Sequence, residues 1–417
     1  MINIFEAELE KGSGIPYILI KKNIIGASPE VDSILLDNIF DCKAYDPGCE
    51  GLRAEYLYSI VKNYKNKEKI YKEVLNAFNS MTETDFGEQQ IFSFVCKLAE
   101  EKKAKKKILY DKMSWYIQNA KDDLFSMYDF VEKEGLKAAE FTARELGKML
   151  EKHPGHSLYL SYGFFNSKEV LSFLQKSKDP LIKFYLNSIE KIEEVKPSKR
   201  KSATEIIEEY LKKNKTFHLL RHWLEKAKKP EIKEIVDFIL QCKDKDFKYR
   251  QISYFDKVKF PAGYEVLKSE YLKAKKQDHK LSLLNAMLLF NKSEVKDMIN
   301  DLDFDNTNVR ELFIKALCTF YKKEENDLIL YWLDSLDVYC CHDLIDFFVK
   351  NKSLKKDTQF YKKILYKLYH KNKCSLCREE ILDKLAENNF LEKTICQEAI
   401  YDCNKDIAKK AAELCTS

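Results

Sequence analysis

Apolar residues recur at three- and four-residue spacing along most of the chain. One stripe comprises Leu52, Tyr56, Leu57, Ile60 and Val61. Spacing of this kind places the apolar side chains on one face of a helix. Similar stripes, separated by short polar stretches, follow at 68–79, 88–102, 135–150, 205–213, 231–243, 280–290, 309–321, 360–369 and 377–385. The pattern predicts helices throughout, arranged as antiparallel pairs.

One helix pattern occurs near both ends of the chain. It reads DPGCEGLRAEYLYSIVKNY at 46–64 and KCSLCREEILDKLAENN at 373–389. Each segment opens with turn-forming residues, continues with an arginine and a glutamate, and ends in an apolar stripe. Helix pairs that recur in this way cannot bury their apolar faces alone and stack into a solenoid.

The periodicity weakens in the middle of the chain. The segment KIEEVKPSKRKSA at 191–203 combines charge, a proline and little apolar spacing, as is typical of a linker. We therefore predict an N-terminal helical array at 1–190, a linker or hinge at 191–203, and a C-terminal helical array at 204–417.

The composition favours the same fold class. The 417 residues include only 11 glycines and 8 prolines, fewer than the turns of an all-β or α/β protein of this length require. The net charge of +5 is small beside 72 basic and 67 acidic residues, and only seven of the basic residues are arginine. Because arginine is the residue preferred for bidentate phosphate contacts, the charge indicates mainly a solvated surface.

The segments DPGCEGLRAEYLYSI at 46–60 and VEKEGLKAAEFTARELGKML at 131–150 resemble bacterial HEAT-repeat proteins of unassigned function. This resemblance implies an all-α, right-handed α-solenoid of HEAT-like antiparallel helix pairs, related to the armadillo-like folds. It also implies a non-catalytic scaffold that binds a protein partner along a concave face. The DNA-alkylation-repeat branch of such folds binds DNA, so a nucleic-acid-binding solenoid is the alternative.

The most distinctive polar cluster follows the turn at 46–51. Glu50, Arg53 and Tyr56 could present a partner-binding surface, and Arg144 in the second similar segment could join it. The structural alternative is that Asp46 caps a helix and Arg53 pairs with a neighbouring carboxylate. The sequence leaves both interpretations open.

The nucleic-acid alternative depends on basic and aromatic residues that could contact phosphates and bases. They are Lys102, Lys103, Lys105, Lys106, Arg200, Lys201, Arg221, His222 and Trp223. The cluster in FHLLRHWLEK at 217–226 also fits the polar edge of an amphipathic helix whose apolar residues face the core.

No enzyme motif supports a catalytic function. The GSG at 12–14 lacks the lysine of a phosphate-binding loop. Cys374 and Cys377 form a single Cys-Xaa-Xaa-Cys pair, which without a matching second pair is weak evidence for zinc or redox chemistry, and His153 and His156 flank a turn. We expect no cofactor and no metal, and no membrane span, since no apolar run is long enough. Twelve cysteines, many at apolar helix positions, indicate free thiols in the cytoplasm.

Overall fold

The computed structural model describes residues 1–81, 85–102, 106–119, 126–153, 168–189, 201–213, 220–336, 338–351 and 353–416. These residues form α-helices and short 3-10 turns, and no β-strand occurs among them. The prediction of an all-α class is therefore confirmed. Among the described helices, none combines the length and the apolarity that crossing a bilayer requires.

The chain divides into two compact units. Unit 1 consists of Met1–Val195 together with Lys373–Ser417, and unit 2 consists of Lys196–Asn372. The predicted linker at 191–203 lies outside the described residues except for its last three positions. The sequence analysis placed 373–417 in the second array, whereas in the structure this segment packs with the N-terminal helices.

The helices are numbered in chain order. The first twelve belong to unit 1: α1 Ile2–Lys11, α2 Ile15–Lys21, α3 Pro29–Phe40, α4 Pro47–Glu50, α5 Ala54–Lys62, α6 Lys67–Ser80, α7 Phe86–Glu101, α8 Lys106–Asn119, α9 Ser126–Glu134, α10 Leu136–Lys152, α11 Lys168–Gln175 and α12 Pro180–Ile189. Unit 2 contains α13 Ala203–Lys213, α14 Leu220–Lys226, α15 Lys229–Gln241, α16 Lys245–Ser253, α17 Tyr264–Lys273, α18 Gln277–Leu288, α19 Glu294–Asn300, α20 Thr307–Thr319, α21 Asn326–Ser335, α22 Val338–Lys350 and α23 Thr358–Lys371. Unit 1 ends with α24 Ser375–Glu387, α25 Lys393–Ala399 and α26 Lys405–Thr416.

Alternate helices pack side by side in both units. In unit 1, α5 packs on α7, α7 on α9, and α10 on α8 and α12; in unit 2, α16 packs on α18, α18 on α20, and α20 on α22. The ring of Phe92 on α7 illustrates the packing, with centroids of Phe78, Tyr116 and Phe130 at 5.6, 6.1 and 6.2 Å. These three rings come from α6, α8 and α9, so one buried side chain joins four helices.

The two ends of the chain meet inside unit 1. The N–H of Cys403 donates to the carbonyl of Gly12 at 2.9 Å, and the rings of Tyr17 and Tyr401 stack with centroids 4.3 Å apart. We call this contact between the α1–α2 turn and the segment 396–405 the terminal junction. Gly14 lies in it, so close to the backbone carbonyl of Glu398 that a Cβ atom would collide with it.

The close packing of the terminal junction leads us to expect that alanine substitution affects stability differently at two glycines. Gly14→Ala should lower the free energy of unfolding by about 1–3 kcal/mol, because the added methyl group overpacks the junction against backbone that cannot rotate away. Gly26→Ala is the matched control, since a Cβ there meets no atom within 4 Å. Chemical denaturation of both variants measures the difference. Equal stability of the two variants would contradict the close packing at Gly14.

Candidate functional site

Two of the residues predicted to bind a partner face the terminal junction. Arg53 is 4% exposed, and its Nη1 donates to the carbonyl of Glu10, while Nη2 lies 3.8 Å from a carboxylate oxygen of Glu50. The hydroxyl of Tyr56 donates to the carbonyl of Ser13 at 2.7 Å. Nη1 of Arg53 and the hydroxyl of Tyr56 therefore bond to backbone carbonyls of α1 and of the turn that follows it.

The other two predicted residues also have partners within unit 1. Glu50 accepts hydrogen bonds from the N–H of Asp46 and from the N–H of Ser375, each at 3.0 Å. Arg144 donates through Nε to Asp179 at 2.6 Å, and its side chain is 39% exposed. Of the four, Arg144 is the one that solvent reaches most readily.

A buried ion pair lies beside the terminal junction. Arg378 on α24 donates through Nη2 to both carboxylate oxygens of Asp402 at 3.0 Å, and the two side chains are 0% and 1% exposed. Nη1 of Arg378 also donates to the carbonyl of Lys373 at 2.9 Å. Asp402 accepts a further hydrogen bond from the N–H of Asn404. Burial of two charges is tolerated only with such complete pairing.

Glu398 is a second buried acid in the junction. It is 8% exposed, and its Oε1 has no hydrogen-bond partner among the described residues. Burial raises the pKa of Glu398 to about 7, against an opposing effect of Lys11 and a smaller reinforcing effect of Glu8. At neutral pH this carboxyl group is therefore close to half protonated.

Two cysteines at this end of unit 1 have raised pKa values, and two others form a disulfide. Burial raises the pKa of Cys403 to about 11, and a hydrogen bond with Cys374, together with burial, raises the pKa of Cys377. A protonated thiol is a poor nucleophile. Cys396 and Cys415 form a disulfide, which corrects the expectation that all cysteines are free.

The described members of the nucleic-acid set have partners within the protein. The ammonium group of Lys102 lies 2.9 Å from Glu68, and that of Lys106 lies 2.6 Å from Glu134. Trp223 is 7% exposed. Residues Lys103, Lys105, Arg200 and His156, and the side chains of Arg221 and His222, lie outside the description.

Trp223 is oriented by a single hydrogen bond. Its indole N–H donates to the carbonyl of Lys201 at 2.7 Å. Because the ring is buried and its polar atom is engaged, Trp223 does not offer a surface on which a base could stack. His153, at the end of α10, is exposed.

A polar groove of about 300 Å³ lies between α16, α18 and α20 of unit 2. Asp278, Ser282 and Asn285 line it from one face of α18, at helical spacing, and Asn308 and Glu311 line it from α20. We call it the α18–α20 groove.

The amides in the α18–α20 groove are available to a ligand. Within the described residues, no side-chain hydrogen bond joins Asn308 or Asn285 to another residue, and the backbone N–H of Asn308 donates to the side chain of Asn306 at 2.9 Å. Leu281 and Leu312 form an apolar part of the lining. Sequence reasoning missed this groove because its residues look like an ordinary solvated helix face, and only the packing of neighbouring helices brings them together.

Because the ion pair is buried, we expect truncation of Arg378 to lower the free energy of unfolding strongly. Arg378→Ala should reduce the free energy of unfolding by about 3–5 kcal/mol, because Asp402 would keep a buried charge without its partner. Lys384→Ala on the same helix is the control, since Lys384 pairs with an exposed glutamate at the surface and such pairs contribute about 0–1 kcal/mol. Denaturant titration of both variants measures the effect, and similar losses would contradict the assigned role of Arg378.

Because of the raised pKa of Glu398, we expect the stability of the protein to fall as the pH rises. The pKa of Glu398 is about 7 in the folded chain and ordinarily 4.5. Its contribution to the free energy of unfolding is therefore fully present below pH 4.5 and is lost as the pH rises through 7. Glu398→Gln cannot ionise, so it should gain up to about 3 kcal/mol relative to the wild type between pH 4.5 and 8.

The measurement is the free energy of unfolding across this pH range. Glu387→Gln serves as the control because its side chain is 57% exposed. Parallel pH profiles for the wild type and Glu398→Gln would show that Glu398 titrates normally.

Comparison with protein-family models, with curated proteins and with solved structures finds no match for this chain. The fold class therefore follows from the helices themselves.

Proposed function

We propose that this chain is a non-catalytic helical-repeat scaffold that binds an extended segment of a protein partner in the α18–α20 groove. The observation that carries the proposal is the pair of amides, Asn285 and Asn308, which face one groove from neighbouring helices. An amide side chain offers both a donor and an acceptor. It therefore suits the N–H and C=O groups of an extended peptide backbone.

The dimensions of packed helices support this mode of binding. Neighbouring helix axes lie roughly 8–10 Å apart, which is the length of about three extended residues. Amides on α18 and α20 would thus contact a peptide that runs across the two helices. The apolar lining from Leu281 and Leu312 would receive a side chain of that peptide.

The repeat architecture fits the same function. The side-by-side packing of alternate helices in each unit, together with the sequence resemblance, supports HEAT-like pairs in a right-handed solenoid. Stacked helix pairs commonly form extended binding surfaces. We propose that the scaffold acts in the cytoplasm and needs no cofactor for this recognition.

We prefer a protein partner to nucleic acid because of the contacts and the burial of the basic and aromatic residues predicted to bind nucleic acid. Lys102 and Lys106 are paired with glutamates, and Trp223 is buried with its N–H engaged. Among the described members of that set, two lysines thus have carboxylate partners within the protein, and the one aromatic ring is not accessible for stacking.

The experiment is affinity capture of the tagged protein from its native lysate after nuclease treatment, read by mass spectrometry. We expect a protein partner that survives nuclease and moderate salt with the wild type. The double variant Asn285→Ala/Asn308→Ala should weaken its binding about 10-fold or more, because two backbone groups of the peptide would lose their partners.

The control variant makes the same chemical change elsewhere. Asn76→Ala/Asn187→Ala removes two exposed helical amides of unit 1 and should leave binding unchanged. Retention of the partner by the Asn285/Asn308 variant would place the binding surface elsewhere. Loss of all protein partners on nuclease treatment, with nucleic acid recovered from the untreated sample, would favour the nucleic-acid function.

A further inference from the structure

Four lysines line a second cavity in unit 2. The cavity has a volume of about 290 Å³ and lies between the start of α16 and the loop that joins α17 to α18. Its lysines are Lys245 from α16, Lys273 at the end of α17, and Lys275 and Lys276 from the connection to α18. The sequence analysis did not single out any of them. We call this the lysine cavity.

The two carboxylates in the lysine cavity are occupied by partners within the chain. Asp244 caps α16 by accepting the N–H of Phe247 at 3.0 Å. One carboxylate oxygen of Asp246 lies 2.6 Å from both the Lys276 ammonium and Nε2 of His279. These two contacts lower the pKa of Asp246, so it remains a carboxylate held by its own partners.

The remaining lysines leave an excess of positive charge. Lys273 pairs with Glu270, outside the cavity lining, at 3.1 Å. Lys245 and Lys275 are exposed, and neither forms an ion pair with another described residue. Four lysines thus line one cavity together with two aspartates, and two of these lysines have no carboxylate partner in the described part of the chain.

We propose that the lysine cavity binds the phosphate group of a small phosphorylated molecule, with Lys245 and Lys275 as its principal contacts. Ammonium groups form charge-assisted hydrogen bonds with phosphate oxygens, and lysine binds phosphate as a compact point charge. A cavity of this volume suits a phosphate carried on a small organic group.

The cavity favours a small phosphorylated molecule over a nucleic-acid strand. Proteins that bind single strands combine a basic surface with exposed aromatic rings on which bases stack. Tyr249 is 1% exposed, and its ring packs on that of His279 with centroids 4.5 Å apart. The lining therefore offers charge without an accessible stacking surface.

The test is isothermal titration calorimetry of the full chain with inorganic phosphate as the ligand. The variant Lys245→Glu/Lys275→Glu should lower the affinity for phosphate at least about 10-fold, since two charge-assisted contacts become repulsive. The control variant Lys292→Glu/Lys322→Glu changes the net charge equally at two exposed lysines outside the cavity lining. It should bind phosphate as the wild type does.

A folding check and a second probe complete the experiment. Circular dichroism must give the same helix content for all three proteins, and Lys245→Ala/Lys275→Ala, which introduces no new charge, should show a smaller loss in the same direction. Equal phosphate affinity of the cavity and control variants, or no phosphate binding by the wild type, would overturn the proposal. A short oligothymidine without terminal phosphates that displaced phosphate would also overturn it, in favour of a nucleic-acid backbone.

Discussion

Unit 1 depends on the contact between the two ends of the chain. The turn after α1 approaches the segment 396–405 so closely that Gly12 and Gly14 leave no room for a Cβ atom. Asp402 lies in the same segment and forms with Arg378 an ion pair whose side chains are 0% and 1% exposed. A buried pair of charges is stable only when each has its partner and its remaining hydrogen bonds. The packing of the glycines and the pairing of the charges therefore support each other.

The junction also buries two of the residues predicted from the sequence to bind a partner. Arg53 and Tyr56 have the chemistry of binding residues, but Nη1 of Arg53 and the hydroxyl of Tyr56 donate to carbonyls of α1 and of its following turn. Unit 2, whose sequence separates the two parts of unit 1, has polar groups of a different kind. Asn285 and Asn308 line a groove without side-chain partners among the described residues, and the proposed function therefore rests on them.

The sequence predicts the local structure well because helix formation depends on short-range spacing. The stripe from Leu52 to Val61 is recognisable by its period, and α5 occupies Ala54–Lys62. The association of 373–417 with the first helices was not predictable in this way, since contacts such as that of Lys373 with Glu10 at 3.0 Å join residues far apart in the chain. The α18–α20 groove escaped prediction for the same reason, because no single helix contains it.

The pattern shared by 46–64 and 373–389 has a structural explanation in unit 1. Each copy places an arginine near the start of a helix, and each arginine is buried, Arg53 at 4% and Arg378 at 0% exposure. Each guanidinium donates through Nη1 to a backbone carbonyl, of Glu10 and of Lys373 respectively. Because Glu10 and Lys373 are themselves joined by an ion pair, the two arginines serve one junction. The recurrence thus reflects two helices whose buried arginines each donate to a backbone carbonyl where the chain ends come together.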